Sequence, residues 1–120
     1  MASPVSLRLP EDTAAKVRTL AAVEQRSFAE MVKVLTAEAV KLREFPEIYF
    51  ADGPTGRRAR FRSGPDVWEV LEPYLVAGHD WDALRESFPH VDEGTLRAAI
   101  RYYEAYSQEI DARIGLNTGV

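Results

Sequence analysis

Cysteine is absent from the 120 residues, and histidine occurs only as His79 and His90. Disulfide staples and thiolate zinc sites are therefore excluded. Long apolar runs are missing too, since no stretch approaches the ~18 residues of a membrane span. No apolar run follows Met1-Ala2-Ser3-Pro4, so we expect no secretory leader, no membrane partner and a cytoplasmic location. There is no glycine-rich phosphate loop, no Ser-His-Asp order, no internal repeat and no low-complexity tract. Asp80 and Asp82 straddle Trp81 beside His79, but side chains two apart on a helix do not share a face. We expect no catalysis, metal or cofactor. A chain of this length fits one ordinary domain or two very small ones. Modules below roughly 70 residues lean on disulfides, metals or oligomerisation, and here association is the stabiliser left.

What is present is charge of both signs, unevenly placed. The net charge is −4. Residues 1–44 carry 7 basic and 6 acidic side chains, residues 45–65 carry 4 and 2, and residues 66–120 carry 4 and 11. The successive nets are +1, +2 and −7. An anionic ligand such as DNA belongs to the first part, not to the last.

Val5-Ser6-Leu7-Arg8-Leu9 alternates strictly and stops at Pro10, the period of a half-buried strand. A single short strand needs a partner for its unpaired edge, and no similar strand follows within the next 35 residues. Pairing with the same strand of a second chain answers that need. Glu11 and Asp12 suit a helix N-terminus, with Ala14, Val17, Leu20 and Ala21 as its apolar stripe. Ser27 and Glu30 have capping-box spacing and open a second helix through Phe28, Met31, Val32, Leu35, Ala39 and Leu42. This first module covers residues 1–44.

The run Asp52-Gly53-Pro54-Thr55-Gly56 is a strong turn signal and predicts a short hairpin, with Ile48, Phe50, Ala59 and Phe61 on one face. This hairpin and linker cover residues 45–65. Residues 66–114 are predicted as three helices. The first carries Val67, Val70, Leu71, Tyr74 and Leu75, with Pro73 kinking it or delaying its start and Gly78 ending it. Asp80 caps the second, with Trp81, Leu84 and Phe88 inward. Asp92 caps a long third helix with Leu96, Ala99, Ile100, Tyr103 and Ile110 along one side. Residues 115–120 are expected to be a flexible tail. The fold class is mainly α: strand, helix and helix in an intertwined dimer, then a hairpin and a three-helix module.

Val-Ser-Leu-Arg-Leu-Pro-Glu-Asp at 5–12 and Arg-Ser-Phe-Ala-Glu at 26–30 resemble the ribbon-helix-helix family of bacterial repressors and antitoxins. Glu24-Gln25 stands where that family usually carries Gly or Asn shortly before the Ser. Leu75-Val76-Ala77-Gly78, residues 84–91, residues 96–103 and Glu109-Ile110-Asp111 are similar to the four-three-three family of bacterial domains of unknown function, which are helix-turn-helix-like. Phe61-Arg62-Ser63-Gly64 departs from the Gly-Thr-Arg-Ile-type sequence usual there. Such domains are commonly encoded beside PIN-like nuclease toxins. The resemblance thus implies a type II toxin–antitoxin setting, in which this chain is the antitoxin, represses its own operon and neutralises a PIN-like ribonuclease. The alternative is a stand-alone ribbon-helix-helix regulator without a toxin. A further rival is a pure interaction protein whose ribbon only dimerises.

In an intertwined dimer two such strands form an antiparallel ribbon that fits the major groove. With Val5, Leu7 and Leu9 inward, Ser6 and Arg8 face the bases. A bidentate Arg8–guanine pair is worth about 1–3 kcal/mol of discrimination. Backbone N–H groups at Ser27 and Phe28 favour a phosphate, and Arg26 can join them; such contacts position without reading sequence. Arg58, Arg60 and Arg62 share one side of their strand and either touch flanking phosphates or pair with carboxylates of their own chain. A helix starting Asp92-Glu93 is a poor DNA reader. The acidic module suits a basic partner protein instead, with Trp68, Trp81, Tyr102 and Tyr106 as candidate aromatic anchors where exposed.

Overall fold

The computed structural model describes residues 4–118. Among them the chain is mainly helical, with one small antiparallel sheet. The elements are α1 (Glu11–Glu24), α2 (Phe28–Glu44), β1 (Ile48–Ala51), β2 (Arg58–Phe61), α3 (Val67–Val76), α4 (Trp81–Ser87) and α5 (Glu93–Thr118). The chain divides into two compact units, one ending at Lys41 and the other beginning at Leu42.

In the first unit, Pro10 stands at the N-cap of α1 and its carbonyl accepts from Ala14 N at 2.8 Å. Its ring costs nothing there, because the first N–H groups of a helix have no intrahelical partner. Glu11 and Asp12 follow in the first turn, where the helix dipole favours them. Ala14, Val17 and Ala21 form the buried face of α1. Gln25 closes the helix in the left-handed region (φ 56, ψ 45), with Arg26 N bonded to Ala21 O at 2.9 Å in the Schellman manner. Ser27 Oγ then accepts from Glu30 N at 3.1 Å and starts α2. The core of this unit is Val17, Ala21 and Met31, with Leu9, Val32, Val34 and Leu35 packed against it. Residues 5–9, expected as a strand, are not one here. The unit offers them no strand to pair with among the described residues, and an extended segment without a ladder partner has no sheet to join.

In the second unit, β1 and β2 pair antiparallel with Ile48 opposite Phe61 and Phe50 opposite Ala59. Ile48, Ala59 and Phe61 are buried and Phe50 packs against them, the face expected from alternation. From α5, Arg113 donates to Thr55 O at 2.7 Å and to Arg57 O at 2.8 Å, tying down the hairpin turn. α3 runs through Pro73, because Val67, Val70 and Leu71, all fully buried, outweigh one missing backbone hydrogen bond. Gly78 and His79 end it at positive φ (73 and 65), and His79 N bonds Tyr74 O at 2.8 Å. Asp80 Oδ1 caps α4 by accepting from Asp82 N and Ala83 N. Asp92 does the same for α5, accepting from Thr95 N at 2.8 Å and from Thr95 Oγ1 at 3.0 Å. Those two bonds hold the Asp92 carboxyl below the usual carboxylate range.

The long helix expected after Asp92 is present as α5, and it kinks at Tyr106 (φ −135, ψ 46), beyond which helix resumes. The tail expected from Gly115 does not begin there: helix continues to Thr118, carried by Ile110 and Ile114, which pack into the core.

Candidate nucleic-acid interface and partner surface

Two features of the first unit bear on the expected DNA contact. Ser6 and Arg8 are both exposed, and no ion-pair partner for Arg8 is found among the described residues. Leu9, the last apolar position of the alternation, packs against the Val17–Ala21–Met31 core. Val5 and Leu7, on the same parity, remain 79% and 63% exposed. Beside this segment lies a groove of about 1000 Å³, lined by Leu7, Arg8, Ala14, Arg18, Phe28 and Val32 among others. In the single chain the N-terminal arm thus has one apolar residue docked and two largely exposed.

The turn between α1 and α2 carries the second group. Arg26 Nε lies 3.2 Å from Glu24 Oε1, an exposed pair of small energetic worth that a phosphate can displace. Ser27 spends its hydroxyl oxygen as acceptor for Glu30 N, so its remaining capacity is the O–H as donor. The Phe28 ring sits 5.6 Å from the Arg18 guanidinium carbon, a cation–π contact. Arg26 and Ser27 lie in the short turn between the left-handed Gln25 and the start of α2 at Phe28.

The basic run of the hairpin is engaged within its own chain. Arg58 Nε is 2.9 Å from Asp66 Oδ2, and Arg60 Nε is 2.8 Å from Asp66 Oδ1. Arg62 Nε donates to Pro46 O at 3.1 Å. Asp66 is 6% exposed and also accepts from Trp68 Nε1 at 3.0 Å. Two arginines so bound to a buried carboxylate are not free cations for phosphates. Arg58 and Arg60 thus take the other expected option, pairing with a carboxylate of their own chain, whereas Arg62 stays exposed with its Nε on a backbone carbonyl. Asp66 is inconspicuous in the sequence; only the opening of a helix four residues past the arginines hints at it.

The four aromatic anchor candidates separate. Tyr102 is fully buried, its hydroxyl donating to Glu109 Oε2 at 2.6 Å, and is core rather than anchor. Tyr106 is half-buried and donates to Glu44; that bond, with burial and the Glu44 and Glu109 charges adding, pushes its pKa up to about 12. Phe45, Tyr102 and Tyr106 meet edge-on or tilted in one cluster, with centroid separations of 5.1–6.3 Å. Trp68 is half-buried and committed to Asp66. Trp81 is half-buried too, with the Arg97 guanidinium 4.5 Å above its ring. None of the four stands free on the surface.

Exposed apolar surface lies elsewhere. Val76 is 83% exposed and Leu116 66%. Leu75, Val76 and Ile114 line a notch of about 270 Å³ whose two charged residues are Glu72 and Asp111. No group of side chains able to hold a metal ion occurs among the described residues, and none of the described helices is long and apolar enough to cross a membrane. No family model, no curated protein and no solved structure matches the chain.

Proposed function

We propose that this chain is an antitoxin-like repressor: a homodimer whose paired N-terminal arms enter the major groove of operator DNA and whose acidic second unit binds and masks a basic nuclease partner. The observation that carries the reading is the arm itself. Val5, Leu7 and Leu9 share one parity, only Leu9 is covered within the chain, and Ser6 and Arg8 occupy the other parity. A second copy of the arm would cover Val5 and Leu7 and complete the ladder. Arg8 and Ser6 would then project from the ribbon toward base edges. Arg26 and the N–H groups opening α2 would clamp the flanking phosphates.

The test is a gel-shift titration with the DNA upstream of the protein's own gene, at two salt concentrations. Arg8→Ala is expected to weaken operator binding about tenfold or more, since each half-site loses a bidentate pair, while size-exclusion still reports a dimer. Operator affinity unchanged in that variant refutes the ribbon contact. Wild-type protein that shifts no DNA at low salt leaves the arm as a dimerisation device only.

A further inference from the structure

We propose that residues 107–118, the part of α5 beyond the bend at Tyr106, form a strap that swings about that bend. It opens together with the hairpin turn while the rest of the second unit stays folded.

The bend has no local cause. Tyr106 leaves the helical region (φ −135, ψ 46) inside a run that is otherwise helix from Glu93 to Thr118. No proline or glycine lies within four residues of it, and those are the residues that usually bend a helix. Glu104, Ala105, Gln108 and Glu109 around it are good helix formers. What bends the helix is therefore what the strap touches. Ile110 is 2% exposed, and Ile114 packs against the same core. Arg113 donates to Thr55 O, Thr55 Oγ1 and Arg57 O. Glu109 and Asp111 accept from Tyr102 and Tyr103, so two hydrogen bonds run from one side of the bend to the other. Tyr106 itself donates to Glu44.

This hold is weaker than that on the neighbouring helix. Among the described side chains of the strap only Ile110 is buried, whereas α3 buries Val67, Val70, Leu71 and Tyr74. The bonds of Arg113 and of Tyr103 to Asp111 are exposed, and water replaces exposed partners at small net cost. Segments with few buried contacts open first and as units. Once released, residues 103–109 are free to follow their helical preference, and α5 becomes straight. The hairpin turn loosens in the same event, because Arg113 bridges its two carbonyls. Asp66 keeps β2 on α3 throughout, since its bonds to Arg58 and Arg60 involve no strap residue. The strap thus gates the apolar surface on which Ile110 and Ile114 rest.

The chain has no cysteine, so full-length protein with Arg97→Cys and Leu116→Cys takes two spin labels at exposed positions flanking the bend. A straight α5 sets these positions about 28 Å apart, at ~1.5 Å per residue, and the closed strap holds them nearer. Arg113→Met, which keeps the aliphatic stem and loses the donors, is expected to move about a tenth or more of the molecules to the longer separation. Helical circular dichroism should stay at the wild-type level. Hydrogen exchange in the wild-type chain should open 107–118 and 53–57 about tenfold or more faster than 67–76, and Arg113→Met should quicken the first two together. A single short separation in both proteins overturns the strap. Broad separations with a falling helical signal mean that the end of α5 frays, which overturns the hinge. Exchange of 67–76 at the rate of 107–118 means that the unit opens only as a whole, which overturns the local opening.

Discussion

At Gln25 a side chain of ordinary bulk occupies a left-handed conformation (φ 56, ψ 45) that glycine adopts without the clash of a Cβ with the carbonyl. Gln25→Gly is expected to stabilise the protein by about 1 kcal/mol, seen as a higher urea midpoint with an unchanged slope. A lower midpoint would mean that the glutamine side chain does more than close the helix. His79 shares the conformation (φ 65) but lies against Tyr74 and Tyr103, with ring centroids 5.1 and 6.3 Å away. Glycine there forfeits those contacts, so no similar gain is expected. Tyr106 offers a second single-residue test. Its folded pKa of about 12 lies above the ~10 of an unfolded tyrosine. Its contribution to stability is therefore complete below pH ~10 and lost as pH rises through about 12. Tyr103, bonded to Asp111, is raised as well, so a phenolate titration at 295 nm should show more than one late tyrosine, and the component near pH 12 should disappear in Tyr106→Phe. A titration in which every tyrosine ionises near pH 10 would show that the Glu44 bond does not hold Tyr106 in solution.

Among the elements, those with local punctuation were legible in the sequence. The hairpin follows from Asp52-Gly53-Pro54-Thr55-Gly56 and the alternation around it, and α4 and α5 follow from Asp80 and Asp92, which cap them in the structure. What could not be read locally is pairing across elements. The arginines of β2 look like a nucleic-acid patch until the chain folds Asp66, at the start of α3, onto Arg58 and Arg60. Tyr102, which helical spacing leaves ambiguous between face and core, is buried because Phe45 and Tyr106 close around it. The bend at Tyr106 and the helix beyond Gly115 depend likewise on packing of Ile110 and Ile114, not on local preference. Asp66 is thus the joint between β2 and α3, and its loss should be felt widely. Asp66→Ala leaves Arg58 and the Trp68 indole N–H without their acceptor and Arg60 without its counter-ion, which is expected to cost about 3 kcal/mol. Chemical denaturation measures it, and a loss below about 1 kcal/mol would make the cluster a surface pair in energetic terms.

Taken whole, the chain joins two units of unequal self-sufficiency. The second holds a continuous core from Phe45 to Ile110, including seven side chains exposed by 1% or less between Ile48 and Leu96: Ile48, Phe61, Val67, Val70, Leu71, Leu84 and Leu96. The first buries only Val17, Ala21 and Met31 together, plus Ala14, while Val5, Leu7, Val23 and Val40 stay more than half exposed or nearly so. A core that small does not offset the conformational entropy of some forty ordered residues. If the first unit draws its stability from a second copy, its unfolding must obey mass action and the second unit's must not. A hundredfold rise in protein concentration then adds on the order of 2.7 kcal/mol per dimer to the first unit alone. Calorimetric scans at the two concentrations should show an early transition that moves upward and a late one that stays in place. The two can be assigned by Leu7→Ser, which lowers the early transition and leaves the late one, because Leu7 belongs to the first unit. Two transitions both indifferent to concentration would mean that the first unit stands alone, and with it the exposed parity of the arm would lose its explanation as a dimer seam.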